Sequence, residues 1–216
     1  MDESNETLTN KNSELLSRTL KEESKNSTVL VDVTQSTQQA NHTIKIAMVA
    51  ILGALSAALS TAFIFFPYIE LMTITLFLGG IILGPIYACA LAIISASLYE
   101  IISTVIIGPG FIIFPFKLVA FLLIALSGAF CKQLIEKDTT VLLRLFFATI
   151  GGLLTIAFDL ITNVGWIILA QNFNFIGYFT ALLIGLPVTA SKVVVNGVLF
   201  FFIPDVYKRA IKSLPR

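Results

Sequence analysis

Five ionisable side chains stand isolated in apolar sequence: Glu70, Glu100, Lys117, Asp159 and Lys192. A charge inside a hydrocarbon-like stretch is costly, so its first reading is functional: it holds a polar solute or moves an ion. Polar neighbours recur around these five at helical spacing. Asp159, Asn163 and Trp166 fall at i, i+4 and i+7, on one face of a helix, and Lys192 and Asn196 are four apart. Tyr99, Glu100 and Ser103 form a third polar patch. A few polar groups, one tryptophan and much apolar wall have the composition of a small-molecule pocket. The plain alternative is a structural ion-pair network in which Lys117 or Lys192 holds Glu100 or Asp159. A purely structural bundle, however, has apolar packing available in place of five charges.

Several chemistries are excluded. No G-x-x-x-x-G-K-[ST] phosphate loop occurs, so ATP hydrolysis by that route is absent. The single histidine, His42, precedes the apolar region, which removes an imidazole-built metal site and any His-assisted Ser or Cys nucleophile. Cys89 and Cys131 sit in apolar surroundings and read as small buried hydrophobes, with no disulfide or metal role. No enzyme activity, cofactor, metal or nucleic-acid partner is expected.

The elements that must carry these residues are membrane helices. The chain has 216 residues, 56% of them hydrophobic and 12% charged, where soluble domains carry about 25% charge; its mean hydropathy is +0.91. Residues 1–43 hold nearly all the Ser-, Thr- and Asn-rich sequence and seven of the thirteen acids. They read as a disordered cytoplasmic tail, with a short amphipathic helix around Leu15 to Leu20 as the one exception. No apolar h-region follows the start, so no cleaved signal peptide is expected.

Residues 44–212 read as a six-helix membrane domain: an all-α membrane protein in a lipid bilayer, with both termini cytoplasmic. Spans are expected at Ile44–Phe66, Tyr68–Leu83, Ile86–Ile107, Phe111 or Pro115 to about Cys131, Leu142–Ala170 and Val188–Ile203. A Gly- and Pro-broken stretch from Asn172 to Pro187 precedes the last. Lys45, the Lys132–Lys137–Arg144 group and Lys208, Arg209, Lys212 and Arg216 all fall on one side of such a bundle, which makes that side the inner one. Asn-x-Ser/Thr triplets at Asn5, Asn26 and Asn41 would be glycan acceptors only if the tail were outside. Glu100 is fifteen residues past Pro85 and Asp159 fifteen past Arg144, each roughly 22 Å from the inner surface at about 1.5 Å per residue. Glu70, Lys117 and Lys192 begin their spans on the outer side. All five charges are thus expected in the outer third of the bilayer. There Asp159, Asn163, Trp166, Lys192 and Asn196 would form one wall of a pocket, with Glu100 and Lys117 opposite.

The first span has a shaved face. Ala50, Ala54, Ala58 and Ala62 recur every fourth position, with Gly53, Ala57 and Thr61 as a second row of small residues. Such faces let a neighbouring helix approach closely, within one chain or between chains.

Taken with "PYIELMTITLFLGGIILGP" (Pro67–Pro85), "FDLITNVGW" (Phe158–Trp166) and "IGLPVTASKVVVNGVLF" (Ile184–Phe200), these features resemble the substrate-binding S component of energy-coupling factor (ECF) vitamin transporters. The resemblance covers residues 44–212 and leaves the tail unexplained. It implies high-affinity binding of a vitamin or related micronutrient from outside the cell. Uptake through the cell membrane would then be powered by a transmembrane T component and two ATPase subunits. It also implies that Ala50, Gly53, Ala54, Ala57 and Ala58 meet the T component, and that Glu70, Tyr99, Glu100, Lys117, Asp159, Asn163, Trp166, Lys192 and Asn196 bind substrate. Two other classes compete with this reading. One is a self-contained proton- or ion-coupled carrier using Glu100 or Asp159, although such carriers usually show two repeated halves and none is visible here. The other is a purely structural membrane partner, which leaves the polar cluster without a purpose.

Overall fold

The computed structural model describes residues 39, 40, 42–66, 68–108, 113–135, 140–169 and 175–213. Residues 1–38 and 41 of the expected tail, its helix near Leu15 and the three asparagines of the Asn-x-Ser/Thr triplets lie outside these, whereas residues 39, 40, 42 and 43, expected to be disordered, are helical. Two units divide at residues 45 and 46; in the first, the described residues are helical. The second is an all-helical bundle among the described residues.

Among the described residues seven helices follow in order: α1 (His42–Ala62), α2 (Leu71–Leu83), α3 (Pro85–Ile106), α4 (Phe114–Ile135), α5 (Val141–Leu169), α6 (Phe175–Phe201) and α7 (Ile203–Ser213). Helices α1, α3, α4, α5 and α6 are long and apolar enough to cross a membrane. Helix α2 has 13 residues, about 20 Å at 1.5 Å per residue. It is enclosed by its neighbours, with Met72, Leu76, Phe77 and Ile81 almost fully buried. The punctuation has local causes. Gly84, at φ +85°, takes a backbone conformation that side chains resist, and Pro85 then starts α3 at the position where a missing N–H costs nothing.

In lipid the hydrophobic effect does not press helices together, so they associate through close packing. Helices α2 and α4 show this most directly. A Cβ on Gly80 would overlap the Ala125 carbonyl oxygen, and one on Gly128 would overlap that of Phe77. The two backbones therefore touch, and only glycine fits on either side. Beside this contact, the Phe77 ring lies 5.9 Å from Phe147 on α5 and 4.8 Å from Phe200 on α6, centroid to centroid, all three rings being buried. Cys89 and Cys131 are free thiols, partly and fully buried.

Two expectations need correction. The stretch before Pro187 is not broken: α6 runs as one helix through Pro187 from Phe175 to Phe201. Proline removes one backbone bond, but a helix in apolar surroundings has no water to replace the remaining bonds if it unwinds. The chain after α6 also folds, into the amphipathic α7, which the Arg144–Asp205 ion pair (2.9 Å) ties to the start of α5. On α1 the two small-residue rows part company. Ala50, Ala54, Ala58 and Ala62 are exposed, while Gly53 and Ala57 are buried, Gly53 against Ile94 and Ser95 of α3. Gly53 and Ala57 belong to the chain's own packing and have no surface left to offer a partner.

Candidate functional site

The five isolated charges come from five different places in the chain and meet beside one cavity; Lys192, expected at the start of its span, lies seventeen residues past Phe175, the start of α6. Lys117, on the first turn of α4, donates to Glu100 Oε2 on α3 at 2.8 Å. Lys192, in the middle of α6, donates to Asp159 Oδ1 on α5 at 3.0 Å and stands 3.8 Å from Glu70 Oε2, just ahead of α2. The hydroxyl of Thr189, one turn before Lys192, donates to the other Asp159 oxygen at 2.5 Å. Asp159 is therefore fixed from two positions on one face of α6. Glu100 is 2% exposed and Asp159 8%, so both carboxylates need these partners: an unpaired buried charge costs several kcal/mol.

Between the two pairs lies a cavity of about 190 Å³, lined by Ser60, Phe63, Ile64, Phe66, Ile69, Glu70, Met72, Tyr99, Lys117, Phe121, Phe158 and Lys192. An apolar cavity of about 150 Å³ accommodates benzene, so this one has room for a solute built on a single ring. The lysines carry their charge across aromatic faces, Lys117 Nζ 5.9 Å from the Tyr99 ring centroid and Lys192 Nζ 5.8 Å from that of Phe158. Glu70 stands directly before the first residue of α2.

The sequence-derived residues divide into three groups. Glu70, Tyr99, Lys117 and Lys192 line the cavity, and Glu100 and Asp159 stand behind the lysines as their counter-ions. Asn163, Trp166 and Asn196 do not line it. The Asn163 amide donates to the Asp159 carbonyl of its own helix at 2.8 Å, and Asn196 is buried one turn beyond Lys192, donating to Thr155 at 2.8 Å. Trp166 is 56% exposed, because its neighbour Gly165 packs against Phe116 and Ile113 and turns the indole outward. The expected wall of Asp159, Asn163, Trp166, Lys192 and Asn196 is therefore replaced by another.

That other wall is aromatic. Phe63, Ile64, Phe66 and Ile69, from the connection between α1 and α2, supply a third of the lining residues. The run "FIFFPYIE" (Phe63–Glu70) carried the signal: four aromatic residues directly before a buried acid. Among the described residues no group of three or more His, Cys, Asp or Glu is placed to hold a metal ion. Comparison with family models, curated proteins and solved structures finds no match for this chain.

Proposed function

We propose that this protein captures a small water-soluble micronutrient in the cavity at Glu70, Lys117 and Lys192 and serves its uptake across the cell membrane. In this reading it is the substrate-binding S component of an ECF-type transporter, with both termini cytoplasmic and the cavity toward the outside. The observation that carries the reading is the cavity itself: a one-ring space with aromatic walls, framed by buried ion pairs, in an apolar bundle. Catalysis is left to partners. A T component would dock on the exposed row Ala50, Ala54 and Ala58, where small side chains permit close helix approach, and two ATPase subunits would supply the energy.

The test is uptake of radiolabelled vitamins into membrane vesicles with and without the T and ATPase subunits. ATP-dependent accumulation that requires all the subunits supports the proposal. Accumulation by this chain alone, driven by a proton or ion gradient, would make it a secondary carrier.

A further inference from the structure

The charges around the cavity do not balance. Glu70, Glu100 and Asp159 are three carboxylates and Lys117 and Lys192 two ammonium groups, and no other Asp, Glu, Lys or Arg occurs between Lys45 and Lys132 or between Arg144 and Asp205. The two ion pairs are close, at 2.8 Å for Lys117–Glu100 and 3.0 Å for Lys192–Asp159. Glu70 is the remainder. Lys192 stands 3.8 Å away but is already engaged by Asp159, and the buried Oε2 of Glu70 has no hydrogen-bond partner among the described residues. A buried acceptor left without a donor is expensive, and more so when charged.

The lysines on the wall suggest an anionic ligand, but the charge balance argues against one. Each lysine already holds a carboxylate, Glu100 or Asp159, so an anion beside it would add a further negative charge to a site that has three against two positive ones. A cation neutralises that excess, and the aromatic walls favour it through the negative faces of their rings. We propose that the cavity selects a one-ring solute bearing a cationic nitrogen, with the nitrogen against Glu70 Oε2 and the ring among Phe63, Phe66, Phe121 and Phe158. This rests on the reading of the cavity as a binding site and adds the class of solute that it takes.

The test uses three probes of one shape and different charge: benzylamine, benzyl alcohol and benzoate. Each is titrated calorimetrically into the purified full-length protein in detergent at pH 8. At this pH benzylamine is cationic. The inference expects benzylamine to bind at least tenfold more tightly than either of the others, a comparison that needs no variant. Glu70→Gln, which keeps the shape and removes the charge, should erase the preference; Glu70→Asp should keep most of it. Benzyl alcohol or benzoate binding as well as benzylamine, or a preference that survives Glu70→Gln, overturns the solute class and leaves the binding site standing. Failure of all three probes to bind the wild-type protein overturns the binding-site reading and the inference with it.

Discussion

Replacing Lys117 by Met keeps the length and apolar stem of the side chain and removes its charge. Glu100 then loses its counter-ion. The carboxylate is 2% exposed and its Oε1 already has no hydrogen-bond partner, so neither water nor a neighbouring donor is at hand to compensate. Removing one member of a buried pair typically costs 3–5 kcal/mol, whereas replacing both members by apolar groups of similar volume is often close to neutral. Lys117 is itself 22% exposed along its side chain, so part of its own charge is solvated and the lower figure applies. Lys117→Met should therefore destabilise the ligand-free protein by about 3 kcal/mol. The double variant Glu100→Leu/Lys117→Met should recover most of that loss. The assay is reversible unfolding in mixed micelles, followed by circular dichroism, for the wild type, both single variants and the double variant. A single variant within 1 kcal/mol of wild type, or a double variant no better than Lys117→Met, would refute the view that this pair is a closed, mutually dependent unit.

Other expectations follow from single contacts. Ala54→Leu and Ala58→Leu place bulk on the exposed row of α1, and should leave ligand affinity unchanged while abolishing uptake by the complete transporter, measured in vesicles. Gly128→Ala would drive a methyl group into the Phe77 carbonyl oxygen, and should cost about 1–3 kcal/mol of unfolding free energy as α2 and α4 separate.

Much of the architecture was legible because hydrocarbon imposes strict terms. Continuous apolar runs, cut at Gly84–Pro85 and after Ile107, mark α2, α3 and α4 closely, and Leu142–Ala170 differs from α5 by one residue at each end. The meeting of the charges was legible from their isolation in apolar sequence, since buried charges need partners; the depth argument fails for Lys192, because Pro187 is not a helix start and Lys192 lies well inside α6. Direction around a helix was less so. Asp159 and Trp166 share a face by spacing, yet one is buried and the other exposed, because what a face meets depends on neighbours such as Phe116 packing at Gly165. The same limit applies to α1, where Gly53 and Ala54 are adjacent small residues with opposite fates. Pro187 misled for a different reason, since the rule that proline ends helices assumes water to take up the freed backbone groups. The connection from Phe63 to Glu70 has no periodicity to read: its aromatic run before an acid marks it as a candidate, but which of its residues line the cavity follows from tertiary placement.

The central claim is that the cavity holds a small solute, and its most direct test is to find that solute. The full-length protein, purified from its native membrane in mild detergent, would be denatured and the released small molecules identified by mass spectrometry. The control is Ser60→Phe, which adds bulk to the cavity from α1 at a residue whose hydroxyl donates to the Ser56 carbonyl of its own helix. The account predicts one water-soluble compound of single-ring size, present in near-stoichiometric amount with the wild type and absent from folded Ser60→Phe. A compound retained equally by both proteins would place its binding elsewhere and contradict the account.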